Sequence, residues 1–443
     1  MSGAALAMPT TGRGSLRGLA RGAGLSLLTR VFAAAAELLL ALCIARLLGA
    51  DGAGMFFVAL TAMTMASVLA RLGLDNALLR LGAAQSAAGD WPRLRNTAQR
   101  ALGAALLAAG LATLLLLAGS FGWSRLQPGS AELASAIGWM ALAVAPVALA
   151  SLYGELLKSV GRVMASQWIG AAGIPFLALL LVLGMGEGLG AHAAAVAYVA
   201  AALATALLGA LAWHRALPAT AATNATTPWS VLFKGTASLL WIKCARLAAG
   251  WLATGALALW VSVADAGIYS VALRISLALS LFLVSINTVA APRFAVQASQ
   301  GDRAGLARTT RLATLAAVLA GGPVLVLLLA APAWVMSCFG ADFGARGASV
   351  LVILALGQCV NLLTGPVGYL LLMSGNEQAM RRCTSYGLAA GVAGVLLLTP
   401  TMGAVGAAIG TAAAMAVQNL AAAWQARRLL AAGPLGRAEG RAS

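Results

Sequence analysis

Six basic residues stand inside long apolar stretches: Arg30, Arg71, Lys234, Lys243, Arg246 and Arg274. A charge held in hydrocarbon costs at least about 3 kcal/mol, so such residues face a cavity, a substrate or a partner of opposite sign. Arg30 and Glu37 are seven apart, two helical turns, and share a face. Lys243 and Arg246 are three apart and share one too. Guanidinium and ammonium groups gathered this way hold anions, and arginine offers forked donors that match phosphate. Arg30, Lys243, Arg246 and Arg274 are therefore the candidate substrate-binding residues. Glu37, the one acid near the middle of such a stretch, is the candidate for ion coupling. Desolvation would favour its protonated form and nearby arginines its charged form; the plainer alternative is structural pairing with Arg30 or Arg246. Arg71 and Asp75, four apart, are expected to form a local salt bridge. Lys234 stands so near a helix start that it is expected to snorkel. His192 and His214 sit at segment ends. The five cysteines lack metal-ligand spacing, and no phosphate loop of the Gly-x-x-x-x-Gly-Lys-Ser/Thr type occurs. Neither an enzyme, a cofactor nor a metal site is expected.

The segments that position these charges dominate the chain. Of 443 residues 61% are hydrophobic and 9% charged, whereas a soluble domain carries about a quarter charged residues. The expected fold class is an all-α polytopic membrane protein. A spanning helix needs about 20 apolar residues, and twelve stretches qualify: 24–48, 54–79, 100–122, 133–157, 165–184, 189–213, 236–260, 266–290, 311–333, 347–373, 384–402 and 403–424. The basic N-terminus imitates a signal peptide, but the run behind it, 25–48, is too long and lacks a cleavage site. The net charge of +17 would suggest nucleic acid in a soluble protein; here it marks cytoplasmic loops and anionic lipid or substrate, with no nucleic-acid partner.

With the N-terminus inside, the short inner segments collect most Lys and Arg, and only Arg46, Arg125 and Arg346 fall outside. Both termini are therefore expected in the cytoplasm. The stretch from Gly54 to Arg80 recurs, worn, from Gly267 to Arg293, an offset of 213 residues that also sets Arg30 on Lys243. At an offset of 212, Gly89-Asp90 meets Gly301-Asp302, and Leu94 and Thr97 meet Leu306 and Thr309. Six helices separate the copies, so two six-helix bundles are expected, related by a pseudo-twofold axis along the membrane normal with the ligand path on it. The expected division is an N-terminal bundle 1–215, a Pro/Thr/Ala-rich cytoplasmic linker 216–230, and a C-terminal bundle with a short basic tail, 231–443. The many glycines, 51 in all, suit close helix approach at such interfaces.

The run Ala45-Arg46-Leu47-Leu48-Gly49-Ala50-Asp51-Gly52-Ala53-Gly54, followed by Leu72-Gly73-Leu74-Asp75-Asn76-Ala77 and Arg80, resembles the opening of polysaccharide-biosynthesis flippases. These are the Wzx-like, oligosaccharide-flippase branch of the multidrug/oligosaccharidyl-lipid/polysaccharide exporter superfamily. Residues 267–275, 291–294 and 339–343 agree in order, as do the turns at 156–162 and 370–377. The resemblance implies alternating access and a bacterial inner-membrane location. It also implies a substrate, an undecaprenyl pyrophosphate-linked oligosaccharide moved from the inner to the outer leaflet. A glycan polymerase and a chain-length regulator are the implied protein partners, and anionic membrane lipid a further one. The family's cavity is cationic, similar to what Arg30, Lys243, Arg246 and Arg274 would make here. An ion-coupled multidrug or metabolite antiporter of the same superfamily is the alternative, and would call for acids in the cavity. A peptidoglycan-precursor flippase typically adds two C-terminal helices, for which 425–443 is too polar. A non-transporting scaffold would leave the buried charges unexplained.

Overall fold

The computed structural model describes residues 13–126, 130–186, 190–218, 227–233 and 235–431, and the regular structure among them is helical. Nine stretches are long and apolar enough to cross a membrane. Two of these are double: Leu28–Ala70 and Glu377–Ala431 each fold at a glycine outside helical geometry, Gly49 (φ 68°, ψ −172°) and Gly403 (φ 57°, ψ −135°). With Thr236–Trp260, whose apolar part is shorter, the expected twelve spans are present. TM1 runs 13–48 and TM2 50–70, resuming at Leu74–Ala87. TM3 is Trp91–Leu126, TM4 Ala131–Ser159, TM5 Val163–Met185 and TM6 Ala191–Ala216. TM7 is Thr236–Trp260 and TM8 is Val263–Ala278 continued by Ser280–Ser299. TM9 is Arg303–Ala330, TM10 Ala341–Thr364, TM11 377–402 and TM12 404–431.

The two bundles build one joint twice. After TM2 and after TM8 the chain turns at Gly89 and Gly301, both at φ 70°. The Asp90 and Asp302 amides donate to the carbonyls of Gln85 and Gln297, each at 2.9 Å. The side-chain amides of those glutamines donate to Thr97 and Thr309 at 3.0 and 2.9 Å. The aspartates then accept from the next helix start, at the Arg93 and Gly305 amides, a capping contact that satisfies an otherwise orphaned donor. The turns after TM4 and TM10 match likewise, with Gly161 at φ 78° and Gly375 at φ 74°. The sequence repeat is thus a repeat of local structure at these turns.

A single apolar cluster, including Ile44, Phe56, Phe57, Met63, Ile268, Tyr269, Phe343 and Leu351, runs through both bundles. Its buried hydroxyl, on Tyr269, meets Thr411 at 2.7 Å. Large side chains such as Leu107 and Leu397 are exposed on the outside, where a bilayer solvates them and the helices satisfy their own backbone groups.

TM8 starts at residue 263, three residues before the position expected from hydropathy. Ser262 caps it, its hydroxyl accepting from the Asp265 amide at 3.0 Å and donating to the Asp265 carboxylate at 2.7 Å. That Ser-x-x-Asp pattern is a readable start signal. TM10 ends at Thr364, because Gly365 (φ 69°) and Pro366 break it before the short helix Val367–Met373.

Candidate functional site

Arg71, Lys243 and Arg274 meet carboxylates along the seam between the bundles. At the face reached by the ends of TM1 and TM7 the seam is shut by backbone contact. A Cβ on Gly54 would collide with the Val263 carbonyl, and one on Gly267 would lie 2.7 Å from the Ala50 carbonyl oxygen. Only glycine lets TM2 and TM8 approach so closely. At the same face Arg46 donates from Nε to the Cys338 carbonyl at 2.7 Å, joining the end of TM1 to the loop after TM9.

Toward the opposite face TM2 breaks. Leu72 sits at φ 53° and Gly73 at φ 73°, and a non-glycine residue in that region stores about 1–3 kcal/mol. Gly73 lies against TM7, where an added Cβ would come 2.5 Å from the Thr236 carbonyl oxygen. Beside this break Asp75 accepts from two cations. The expected local bridge from Arg71 is present at 3.2 Å, and Lys243 of TM7 reaches Asp75 at 2.9 Å. Arg71 also donates to the Ser67 carbonyl. The Arg71 and Asp75 side chains are 11% and 10% exposed and Lys243 39%. Two cations thus share one carboxylate across the seam, and one positive charge is uncompensated.

Deeper, Arg274 of TM8 crosses to the first bundle. Its guanidinium lies 4.2 Å from the centre of the Phe57 ring, donates to the Ser270 carbonyl at 3.1 Å, and stands 3.8 Å from the Glu37 carboxylate. The Arg274 side chain is 17% exposed and that of Glu37 61%. Hydropathy put Arg274 about 10 Å below the helix start; with TM8 beginning at Val263 it stands about 16 Å along the helix from that start. Glu37 therefore meets Arg274, and of the two partners considered for it Arg30 is not in ion-pairing range, while the side chain of Arg246 lies outside the described residues.

Arg30 is exposed on TM1, and among the described residues no carboxylate lies in ion-pairing range of it. The side chain of Arg246, Lys234, the middle of linker 216–230 and the tail beyond 431 lie outside the described residues. His192 and His214 are exposed at helix ends. The five cysteines are free, and no metal-ligating group forms among the described residues.

The ion pairs of the described seam thus hold three cations, Arg71, Lys243 and Arg274, against two carboxylates, Asp75 and Glu37, a surplus of one positive charge. It has forked donors for an anion, and its acids are already engaged by bases. The inter-bundle role of Asp75 escaped periodicity, because helical spacing reveals only its neighbour Arg71.

The fold is shared with solved transporters. An inward-facing multidrug resistance MATE family transporter of the MOP superfamily superposes with a TM-score of 0.70 at 13% identity, over 92% of this chain and 98% of that one. The lipid II flippase MurJ, in an inward closed conformation, gives 0.72 at 10% identity over 91% and 87%. A MOP superfamily transporter from Pyrococcus furiosus, described by the reverse polarity of its binding pocket, gives 0.63 at 14% identity over 93% and 95%. At these identities the likeness is one of fold. No curated protein matches the sequence. The family described as polysaccharide biosynthesis protein matches residues 19–298, more than half of the chain. The chain is a multi-pass membrane protein that belongs to the polysaccharide biosynthesis protein family.

Proposed function

We propose that the protein is a flippase for a polyprenyl pyrophosphate-linked oligosaccharide, undecaprenyl in the implied case. It moves this lipid from the inner to the outer leaflet of the bacterial inner membrane for assembly of a surface polysaccharide, whether O-antigen, capsule or exopolysaccharide. The observation that carries this reading is the surplus positive charge at the seam of a chain in this family. A pyrophosphate crossing hydrocarbon needs counter-charge that is already in place and imperfectly neutralised. The bundles, 1–215 and 231–443, rock about the seam, with the linker 216–230 and both termini in the cytoplasm. In this orientation the glycine contact of TM2 with TM8 closes the periplasmic side. The Lys243–Asp75 pair holds TM7 to TM2 on the cytoplasmic side. An arriving pyrophosphate offers Lys243 and Arg71 more negative charge than Asp75 does, so it competes with the pair and loosens the seam as it binds. Arg30 and Arg246 complete the cationic path, and Arg274 lies at its middle.

Glu37 favours a second reading, ion-coupled antiport of a drug or metabolite, because a well-exposed carboxylate within a membrane-spanning helix suits a coupling ion. The two readings separate in cells. Under the flippase reading, Arg30→Ala with Lys243→Ala leaves the protein inserted but abolishes surface glycan, with lipid-linked oligosaccharide accumulating on the inner leaflet. Unchanged glycan export in the double variant, or a changed drug tolerance with normal glycan, would reject it.

A further inference from the structure

The first bundle holds a cavity of about 730 Å³ that the seam does not use. It lies between TM1, TM5 and TM6, lined by Leu28, Phe32, Met164, Trp168 and Leu211, with Arg215 as its charged residue. Phe32 stacks on Trp168 at 5.8 Å between ring centres, and Phe176 meets both rings, at 5.4 and 5.5 Å. Trp168 opens a π-helical turn, Trp168–Ala172, an irregularity frequently found at functional sites. Leu28, Phe32, Met164 and Leu211 are exposed, so the groove opens sideways onto hydrocarbon. Arg215 lies in the last turn of TM6, about 10 Å along the axis from the deepest lining residue of that helix, Leu208. The charge therefore marks one end of an otherwise oily slot.

We propose that this groove seats an acyl chain of an anionic phospholipid, with its phosphate on Arg215 at the cytoplasmic interface. Its walls suit a hydrocarbon chain and give a polar solute little to bond. Arg215, the charged residue among the described lining, has no carboxylate in ion-pairing range among the described residues, and so complements an anionic headgroup. On TM1, Leu28 and Phe32 each lie about 160° round the helix from Arg30, which places TM1 between the groove and the seam. A lipid in transit past Arg30 would be cut off from the groove by that helix, so the occupant is a resident phospholipid. It braces TM1 against TM5 and TM6 while the opposite face of TM1 presents Arg30 and Glu37. The assignment needs the cytoplasmic orientation of TM6 but not the identity of the cargo.

Native mass spectrometry of the full-length protein in mixed micelles of phosphatidylglycerol and phosphatidylcholine tests it. The wild type is expected to retain one phosphatidylglycerol in preference to phosphatidylcholine. Arg215→Gln lowers that retention about fivefold, and Ala212→Trp, which fills the groove, removes it. Arg125→Gln, at the other face of the same bundle, leaves retention unchanged. Thermal melting identifies any variant that fails to fold, and Arg215→Gln decides the matter if Ala212→Trp does. Equal retention of both phospholipids by the wild type would overturn the proposal, as would unaltered retention in Arg215→Gln. Preference for a polyprenyl phosphate over phosphatidylglycerol would also overturn it, by making the groove a cargo site.

Discussion

The Lys243–Asp75 pair gives the sharpest prediction, because its two halves have different consequences when broken. The Arg71–Asp75 bridge lies within TM2 and survives when the bundles part, whereas Lys243–Asp75 spans the seam. Lys243 is more than a third exposed, so its link is screened and contributes about 1 kcal/mol to closure. Asp75→Asn and Lys243→Gln should each therefore raise the open population about fivefold. Their effects on overall stability should diverge. Asp75→Asn strands the nearly buried Arg71 without its anion, at a cost of about 3 kcal/mol, while Lys243→Gln costs about 1 kcal/mol or less. Cys244, half-buried and next to Lys243 in TM7, reports on the seam. With Cys43, Cys338, Cys359 and Cys383 replaced by serine, maleimide labelling of Cys244 tracks seam opening when opening is fast relative to labelling. With rates normalised to the thiolate fraction of each variant, both should label about fivefold faster, and only Asp75→Asn should lose substantial thermal stability. Unchanged labelling in Lys243→Gln would refute the idea that this pair holds the seam, whatever Asp75→Asn does.

Two further outcomes follow from the same seam. Gly54→Ala places a methyl group into the Val263 carbonyl, so TM2 and TM8 must move apart; a loss of about 1–3 kcal/mol should appear as a lower melting temperature in detergent. Arg274→Ala loses its stacking on Phe57, worth up to about 2 kcal/mol in a desolvated setting. Glu37→Gln should stay within about 0.5 kcal/mol of wild type, because that carboxylate is well exposed and 3.8 Å away. A double-mutant cycle with coupling well above that value would contradict the reading of Arg274 as anchored mainly by the ring.

Much of the architecture was legible because bilayer spans are a matter of length and composition, and because repeated glycines and acids mark repeated turns. Gly89-Asp90 and Gly301-Asp302 were visible as a pair before their shared φ of 70° and matching hydrogen bonds. The partner of Lys243 was not legible. Asp75 is 168 residues away in the chain, and helical periodicity relates only residues within a few turns. The start of TM8 was placed three residues late because hydropathy ignores caps, and Ser262 with Asp265 starts the helix earlier than its apolar run does. The break at Leu72–Gly73 and the π-helical turn at Trp168 also left little trace, since a lone glycine or polar residue within a span does not by itself mark a break.

Reconstitution tests the central claim most directly. Full-length protein in liposomes, given a polyprenyl pyrophosphate-linked oligosaccharide, should speed its movement between leaflets over protein-free vesicles. The Arg30→Ala, Lys243→Ala double variant, folded by its melting curve, should not. Equal translocation by wild type and double variant, or none by the wild type across lipid-linked oligosaccharides of differing sugar, would contradict a cationic seam that carries an anionic headgroup through the membrane.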